Sequence, residues 1–413
     1  MDVDKIRADI KVLQTPLNGK PVIYFDNACM SLRPNQVVEA MDEYYYKYPG
    51  CAGRSIHKFG TMVTDKYDES REIVAKFINA KESREIIFTR NTTEGINIVA
   101  NSFDFKAGDV VITSDREHNS NLLPWQMLSK NKKITHNIIY STPQMTFDMD
   151  EFKRRVEDFK GKLKLVSIVH TSNLDGYTLP VKEIIKTAHD AGALVMLDGA
   201  QSVPHQEVDV RKLDVDFLAF SGHKMLGPSG IGVLYGKYEL LEKLRPFLVG
   251  GDTVKDTTYD SCVFLNPPEK FEAGLQNYAG AIGLAAAIKY LRYNGIAMGM
   301  IEKHEIDLNK IITEGIKDIN GLSIIGPSEN GWHPAQLRGG IISFNIKGMF
   351  PHDIAIMLDD SANIMIRSGA HCVHSWFNNN LIKGSARASL YLYNTKEEAG
   401  VFVEKLKEIA KLA

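Results

Sequence analysis

Four cysteines in 413 residues, none in a CxxC pair, exclude the usual disulfide and zinc frameworks. Cys29, Cys51, Cys262 and Cys372 are widely spaced, a usage that suits a reducing cytoplasm, and no metal site is expected. No apolar run approaches the about 20 residues of a membrane helix. The N-terminal stretch MDVDKIRADIKVLQ is charged and lacks a signal-peptide apolar core, so a cytoplasmic setting is expected. Excess charge is missing too. A net charge of -2 gives nucleic acid and anionic membranes no electrostatic hold as main partners. Internal repeats and low-complexity segments are absent. What remains is a chain that is 44% hydrophobic and 24% charged, long enough for two domains.

The rest is organised around Asp216 to Gly236, DFLAFSGHKMLGPSGIGVLYG. Phe217 to Phe220 reads as a buried strand that breaks into Ser221-Gly222-His223-Lys224. A lysine directly after a buried strand is either a surface loop residue or a desolvated amine suited to Schiff-base chemistry. The stretch before it decides between them. Leu194 to Leu197 is another short buried strand with Asp198 at its end, followed by Gln201. A carboxylate one strand-loop-strand unit before such a lysine fits a pyridoxal phosphate (PLP) site, where it pairs with the protonated ring nitrogen. With these motifs, Asp198-x-x-Gln201 and Ser221-Gly222-His223-Lys224, the chain resembles the class V aminotransferase family of fold-type I PLP enzymes. Within that family it is similar to the cysteine desulfurase and selenocysteine lyase group, from about Tyr24 to Thr395.

Between Ile86 and Leu234 short apolar runs alternate with helical patterns, which predicts an α/β fold with a mainly parallel sheet and helices on both faces. Ligands in such sheets lie beyond the C-terminal strand ends, and the candidate residues fall there. Asn91-Thr92-Thr93 opens a helix after the strand Ile86 to Thr89. By itself it reads as an ordinary N-cap or as an anion site; the resemblance makes Thr92 and Thr93 the cofactor phosphate loop. His118 follows the strand Val110 to Thr113, and the resemblance makes it the histidine that stacks on the ring and relays protons. It implies that Asn173 hydrogen-bonds the phenolic oxygen, and that Gln201, Ser221 and His223 fix the phenolic oxygen and phosphate. The turn Asp26-Asn27-Ala28 and the glycine-rich loop with Arg54 and His57 correspond to segments that reach the substrate side. Asn27, Arg54 and His57 are therefore expected there.

After the FEAG segment, which in related enzymes completes the phosphate site of a partner subunit, the usual threonine is replaced by Leu275. Gln276 or Asn277 would have to substitute. Tyr278 to Leu291 reads as a helix linking two domains. The expected division is residues 21–290 for a large cofactor-binding domain, and residues 1–20 plus 291–413 for a smaller α+β domain.

Cys372 sits in Arg367-Ser-Gly-Ala-His-Cys-Val-His374, a polar turn after a strand. A cysteine so placed is either a small buried apolar residue or a thiolate nucleophile; the polar setting favours the second. The string is similar to the short-loop, type II form of the family's persulfide-forming loop, although Val373-His374-Ser375-Trp376 replaces the alanine-x-proline that follows there. Arg387 lies in a strand, and a guanidinium is a natural bidentate partner for an amino-acid carboxylate. The resemblance thus implies a homodimeric PLP-dependent cysteine desulfurase. It would convert L-cysteine to L-alanine and leave a persulfide on Cys372 for a sulfur-acceptor protein, as in iron-sulfur cluster assembly. Lys224, Cys372 and His118 would be catalytic and Arg387 would bind substrate. Selenocysteine lyase activity, or a class V aminotransferase or epimerase in which Cys372 is incidental, are the alternatives. Intact Lys224, Asp198, Arg387 and Cys372 argue against a PLP-fold protein that serves only as an interaction subunit. Cys29 and Cys51 lie in segments the family places near the site, which leaves open a metal or redox role that no ligand spacing supports.

Overall fold

The computed structural model describes residues 1–329 and 333–412. The apolar runs become a seven-stranded sheet in the order Ile86–Thr89, Gly232–Gly236, Phe217–Ser221, Leu194–Asp198, Leu163–Val169, Val110–Ser114, Thr135–Ile139. The last five of these run parallel. Gly232–Gly236 is antiparallel to both of its neighbours. Strands buried on both faces need apolar residues at every position. Successive side chains then serve opposite cores: Leu218 and Phe220 lie in one apolar cluster, Phe217 and Ala219 in the other.

The helix Tyr278–Tyr293 is buried along most of its length. It packs on the helices Asn35–Lys47 and Lys58–Phe77. Beyond it, the helix Met298–Ile316 leads into a four-stranded antiparallel sheet ordered Leu322–Ile325, Ile341–Ile346, Ser385–Ser389, Arg367–Gly369. This sheet has its own core, which includes Leu308, Ile342, Phe344 and Phe402.

The start of the chain differs from the expected division. Ile23–Tyr24 pairs in parallel with Ile364–Met365, and Phe25 packs edge-on against Phe402. This stretch is therefore built onto the C-terminal half, because its apolar residues complete that core and not the large sheet. The helix Val3–Ala8 touches both halves. Ile6 and Ile10 lie among Val37, Leu291 and Tyr391, and Arg7 pairs with Glu398 at 2.7 Å. No helix among the described residues is long and apolar enough to cross a membrane.

Candidate active site

The parallel strands end on one side of the large sheet, where the four-stranded sheet faces them across a cavity of about 230 Å³. Thr92, Thr93, His118, Asn173, Asp198, Gln201, Ser221, His223, Lys224, Cys372 and Arg387 all line it.

Lys224 ends a short helical turn directly after Phe217–Ser221. Burial pulls its ammonium down from the ordinary lysine range, and the nearby Asp198 carboxylate opposes that pull. Asp198 is 3% exposed. Burial raises its pKa, opposed by the Ala200 N–H that donates to Oδ1 at 2.9 Å and by the Lys224 charge. Beyond the end of Val110–Ser114, burial together with the charges of Lys224 and Arg387 pushes His118 down to about 3, so its imidazole is neutral near pH 7. Its Nδ1 accepts the Ser120 N–H at 3.1 Å. Burial and Lys224 likewise hold His223 down at about 4.

The helix Thr92–Ser102 aims its N-terminus at the cavity. Asn91 caps it by accepting the Glu94 N–H at 3.1 Å. The Thr92 N–H donates to Ser221 Oγ at 2.9 Å, which ties this helix start to the Lys224 turn. Thr93 and Ser120 share a hydroxyl contact at 2.7 Å.

On the opposite wall, Arg367 and Arg387 are direct cross-strand partners. Like charges so placed repel, and Asp26 answers both, at 3.5 Å from each guanidinium. Arg387 is 2% exposed. One of its nitrogens donates to the Asn173 carbonyl at 2.9 Å, and its Nε has no partner. Burial lowers its pKa, with Asp26 opposing. Asn173 Oδ1 and Gln201 Oε1 are also buried without partners. Orphaned polar atoms of this kind call for a polar ligand.

Cys372 is exposed to this cavity on a turn. His371 and Cys372 both have left-handed backbone, with φ of 48° and 58°; a non-glycine residue holds such a conformation only where its surroundings enforce it. Here the enforcement is visible. The Asn119 N–H donates to the Cys372 carbonyl at 2.7 Å. Asn173 donates to the His371 carbonyl at 2.7 Å, and His371 Nε2 meets Ser385 Oγ at 2.9 Å. Next comes the short helix His374–Asn379, whose Trp376 and Phe377 pack with Leu174 and Ile325.

Family comparison agrees with this geometry over nearly the whole chain. Residues 23–402 match the profile of the family described as Aminotransferase class-V. The chain belongs to the class-V aminotransferase family. Within it, the chain falls in the cysteine desulfurase group. It is 44% identical over 411 residues to the probable cysteine desulfurase of Pyrococcus abyssi, covering 99% of this chain and 98% of that one. The apo structure of a cysteine desulfurase from Thermococcus onnurineus superposes with a TM-score of 0.92 at 42% identity, over 99% of this chain and 98% of that one. A cysteine desulfurase from Escherichia coli, in an S-sulfonic acid form, gives 0.89 at 32% identity, over 100% and 99%.

Three expected substrate residues are not brought to the cavity. Asn27 is fully buried. Its amide donates to the Ser389 carbonyl at 2.7 Å and accepts from the Tyr393 hydroxyl, so it locks the turn and its neighbours face the site. Arg54 is exposed and forms an ion pair with Asp252. His57 caps the helix Lys58–Phe77 by accepting the Gly60 N–H at 3.2 Å. Gln276 and Asn277 are also engaged within the chain. Gln276 donates to the Glu272 carbonyl and accepts from the Tyr278 hydroxyl. Asn277 donates to the Gly230 carbonyl and caps the helix Tyr278–Tyr293.

Asp26, Ser120 and Arg367 were not assigned to the site from the sequence, and Cys29 was placed only in a segment near it. Arg367 had a usable signal, since it lies on a strand just ahead of Cys372. Pairing with Arg387 follows only from sheet register. Glu117, next to His118 in sequence, is buried. It accepts from Ser114, Asn121 and the Val169 N–H, and burial pushes it up to about 7.

Proposed function

We propose that this protein is a PLP-dependent cysteine desulfurase that moves the sulfur of L-cysteine onto Cys372 and releases L-alanine. The observation that carries this reading is one cavity lined by Lys224, Asp198, Arg387 and Cys372 together.

The lining fits the cofactor. Asp198 is a buried carboxylate suited to a ring cation, the helix start at Thr92 and Thr93 suits a phosphate, and the orphaned amide oxygens of Asn173 and Gln201 await a polar ligand. When bound, PLP supplies an electron sink for the pair released at the substrate Cα. The chain does the rest. Arg387 holds the substrate carboxylate, taking the place that Asp26 now fills. Lys224, its charged form disfavoured by burial, takes the Cα proton. His118 stays neutral and is placed to hand protons on. The Cys372 thiolate attacks the substrate sulfur; the C–S bond breaks, its electron pair goes to carbon, and protonation there gives alanine. The sulfane sulfur stays on Cys372 as a persulfide, exposed for a sulfur-acceptor protein.

The test separates two tasks, Lys224 at the Cα proton and Cys372 at sulfur. Cys372→Ser keeps the cavity and Arg387 but lacks a nucleophile able to take sulfur near neutral pH. With PLP bound, it is expected to bind L-cysteine and shift the cofactor spectrum, yet to form no alanine or sulfide on the wild-type timescale. Full activity on L-cysteine in this variant would refute the assignment. Alanine formation from L-selenocysteine that survives while L-cysteine turnover is lost fits the same roles, because the weaker C–Se bond depends less on capture by the thiolate.

A further inference from the structure

Cys29 has no task in the chemistry above, yet it lines the same cavity as Cys372, Lys224 and Arg387. Its turn is firmly held: the Cys29 N–H donates to the Asp26 carbonyl at 3.1 Å, and the Ala28 N–H to Ser389 Oγ at 2.9 Å. Arg367 Nη1 donates to Cys29 Sγ at 2.9 Å, which fixes where that sulfur sits. The same guanidinium stands at the start of the strand that leads into the Cys372 turn. Both sulfurs are near enough to Arg367 and Lys224 to act on their charges. Cys29 is partly buried, whereas Cys51 and Cys262 are exposed and do not line the cavity. Two thiols therefore line one cavity, and both act on the charge of the same arginine.

We propose that Cys29 is a second sulfur acceptor, charged from Cys372 inside the cavity. The inference rests on the desulfurase reading. The Cys29 thiolate attacks the outer sulfur of the Cys372 persulfide. The sulfur–sulfur bond breaks, its electron pair leaves with Cys372 as thiolate, and the persulfide now sits on Cys29. The proton lost from the Cys29 thiol is balanced by one at Cys372, and neither oxidant nor reductant is consumed. A persulfide extends the reach of Cys372 by one S–S bond, about 2 Å. Cys372, restored, takes sulfur from a second L-cysteine, so each chain stores two sulfane sulfurs.

The experiment uses the PLP-loaded full chain carrying Cys51→Ser and Cys262→Ser, which leaves Cys29 and Cys372 as its only cysteines. It is mixed with L-cysteine without reductant or acceptor and acid-quenched over the first turnovers. Alanine and sulfane sulfur are counted per chain, and alkylated peptides are mapped by mass. The expected result is a burst of two alanines and two sulfane sulfurs, one on each cysteine. Adding Cys29→Ser lowers both counts to one, on Cys372; adding Cys372→Ser instead leaves neither cysteine charged. One equivalent confined to Cys372 in the parent overturns the transfer and leaves the desulfurase reading standing. A Cys29–Cys372 disulfide with free sulfide also overturns it, because Cys29 has then attacked the inner sulfur. A full alanine burst from the Cys372→Ser chain removes the desulfurase reading itself. Peptide mapping of the wild-type chain repeats the measurement should the serine background fold poorly.

Discussion

Arg387 is held in readiness by contacts that are good but incomplete. It has one short bond to the Asn173 carbonyl, a longer ion pair to Asp26, and a buried Nε without a partner. A carboxylate that took up the free donor and displaced Asp26 would be bound by planar, bidentate geometry that an ammonium cannot copy. Arg387→Lys keeps the charge and loses the fork. Hydrogen bonds to charged groups contribute about 1.5–3 kcal/mol each, so KM for L-cysteine is expected to rise roughly 10- to 100-fold, with a smaller change in kcat. Steady-state alanine formation measures both. An unchanged KM would mean that Arg387 does not hold the carboxylate.

The FEAG segment shows how elements far apart in sequence are knit together. Glu272 takes a bidentate pair from Arg71, on the helix Lys58–Phe77, at 2.7 and 2.9 Å. It also accepts the Tyr67 hydroxyl at 2.8 Å and the Phe88 N–H at 2.7 Å. All four groups are buried. Removing one partner from a buried pair strands the other charge, at a cost of about 3–5 kcal/mol. Arg71→Met is therefore expected to lower unfolding stability by that amount, read from urea midpoints at constant slope. A loss below about 1 kcal/mol would show that Glu272 finds its partners elsewhere. The same segment explains why Gln276 and Asn277 are poor substitutes for the threonine missing at Leu275: each would have to break bonds inside its own chain before reaching out.

Around this segment the molecule exposes apolar surface that a single chain does not cover. Leu275 is 71% exposed, and Ile56, Leu248, Val249, Tyr259 and Val263 are exposed as well. Their segments are tied to one another by the Arg54–Asp252 pair and by the Gly274 N–H bond to the Gly251 carbonyl at 2.9 Å. Exposed apolar residues gathered on linked segments suit an interaction face, and we propose that a second copy of the chain covers this one. Sedimentation is expected to give a dimer, and Val249→Glu with Leu275→Glu to give monomers. A wild-type monomer at micromolar concentration would count against the dimer, and a PLP-retaining monomer against any part for it in cofactor binding.

Much of the site was legible because its residues sit at the ends of apolar runs. Asp198, Ser221 and Lys224 each end or follow a strand too apolar to face water, and parallel strands in one sheet end on one side. Periodicity and chain order alone therefore put these residues together, and the family motifs put names to their neighbours. The sequence by itself also determined the α/β class, the helix opening at Thr92 and the pairing of Cys372 with a polar turn. Only the tertiary structure decided which side chains of a turn face the cavity. Asn27 turns inward to satisfy Ser389 and Tyr393, while Asp26 and Cys29 meet the two arginines. It also decided that Arg367 stands beside Arg387, since register between strands separated by a helix is written in no local pattern. Hydrogen-bond satisfaction and cross-strand register are properties of the folded whole, and that is why these contacts could not be read along the chain.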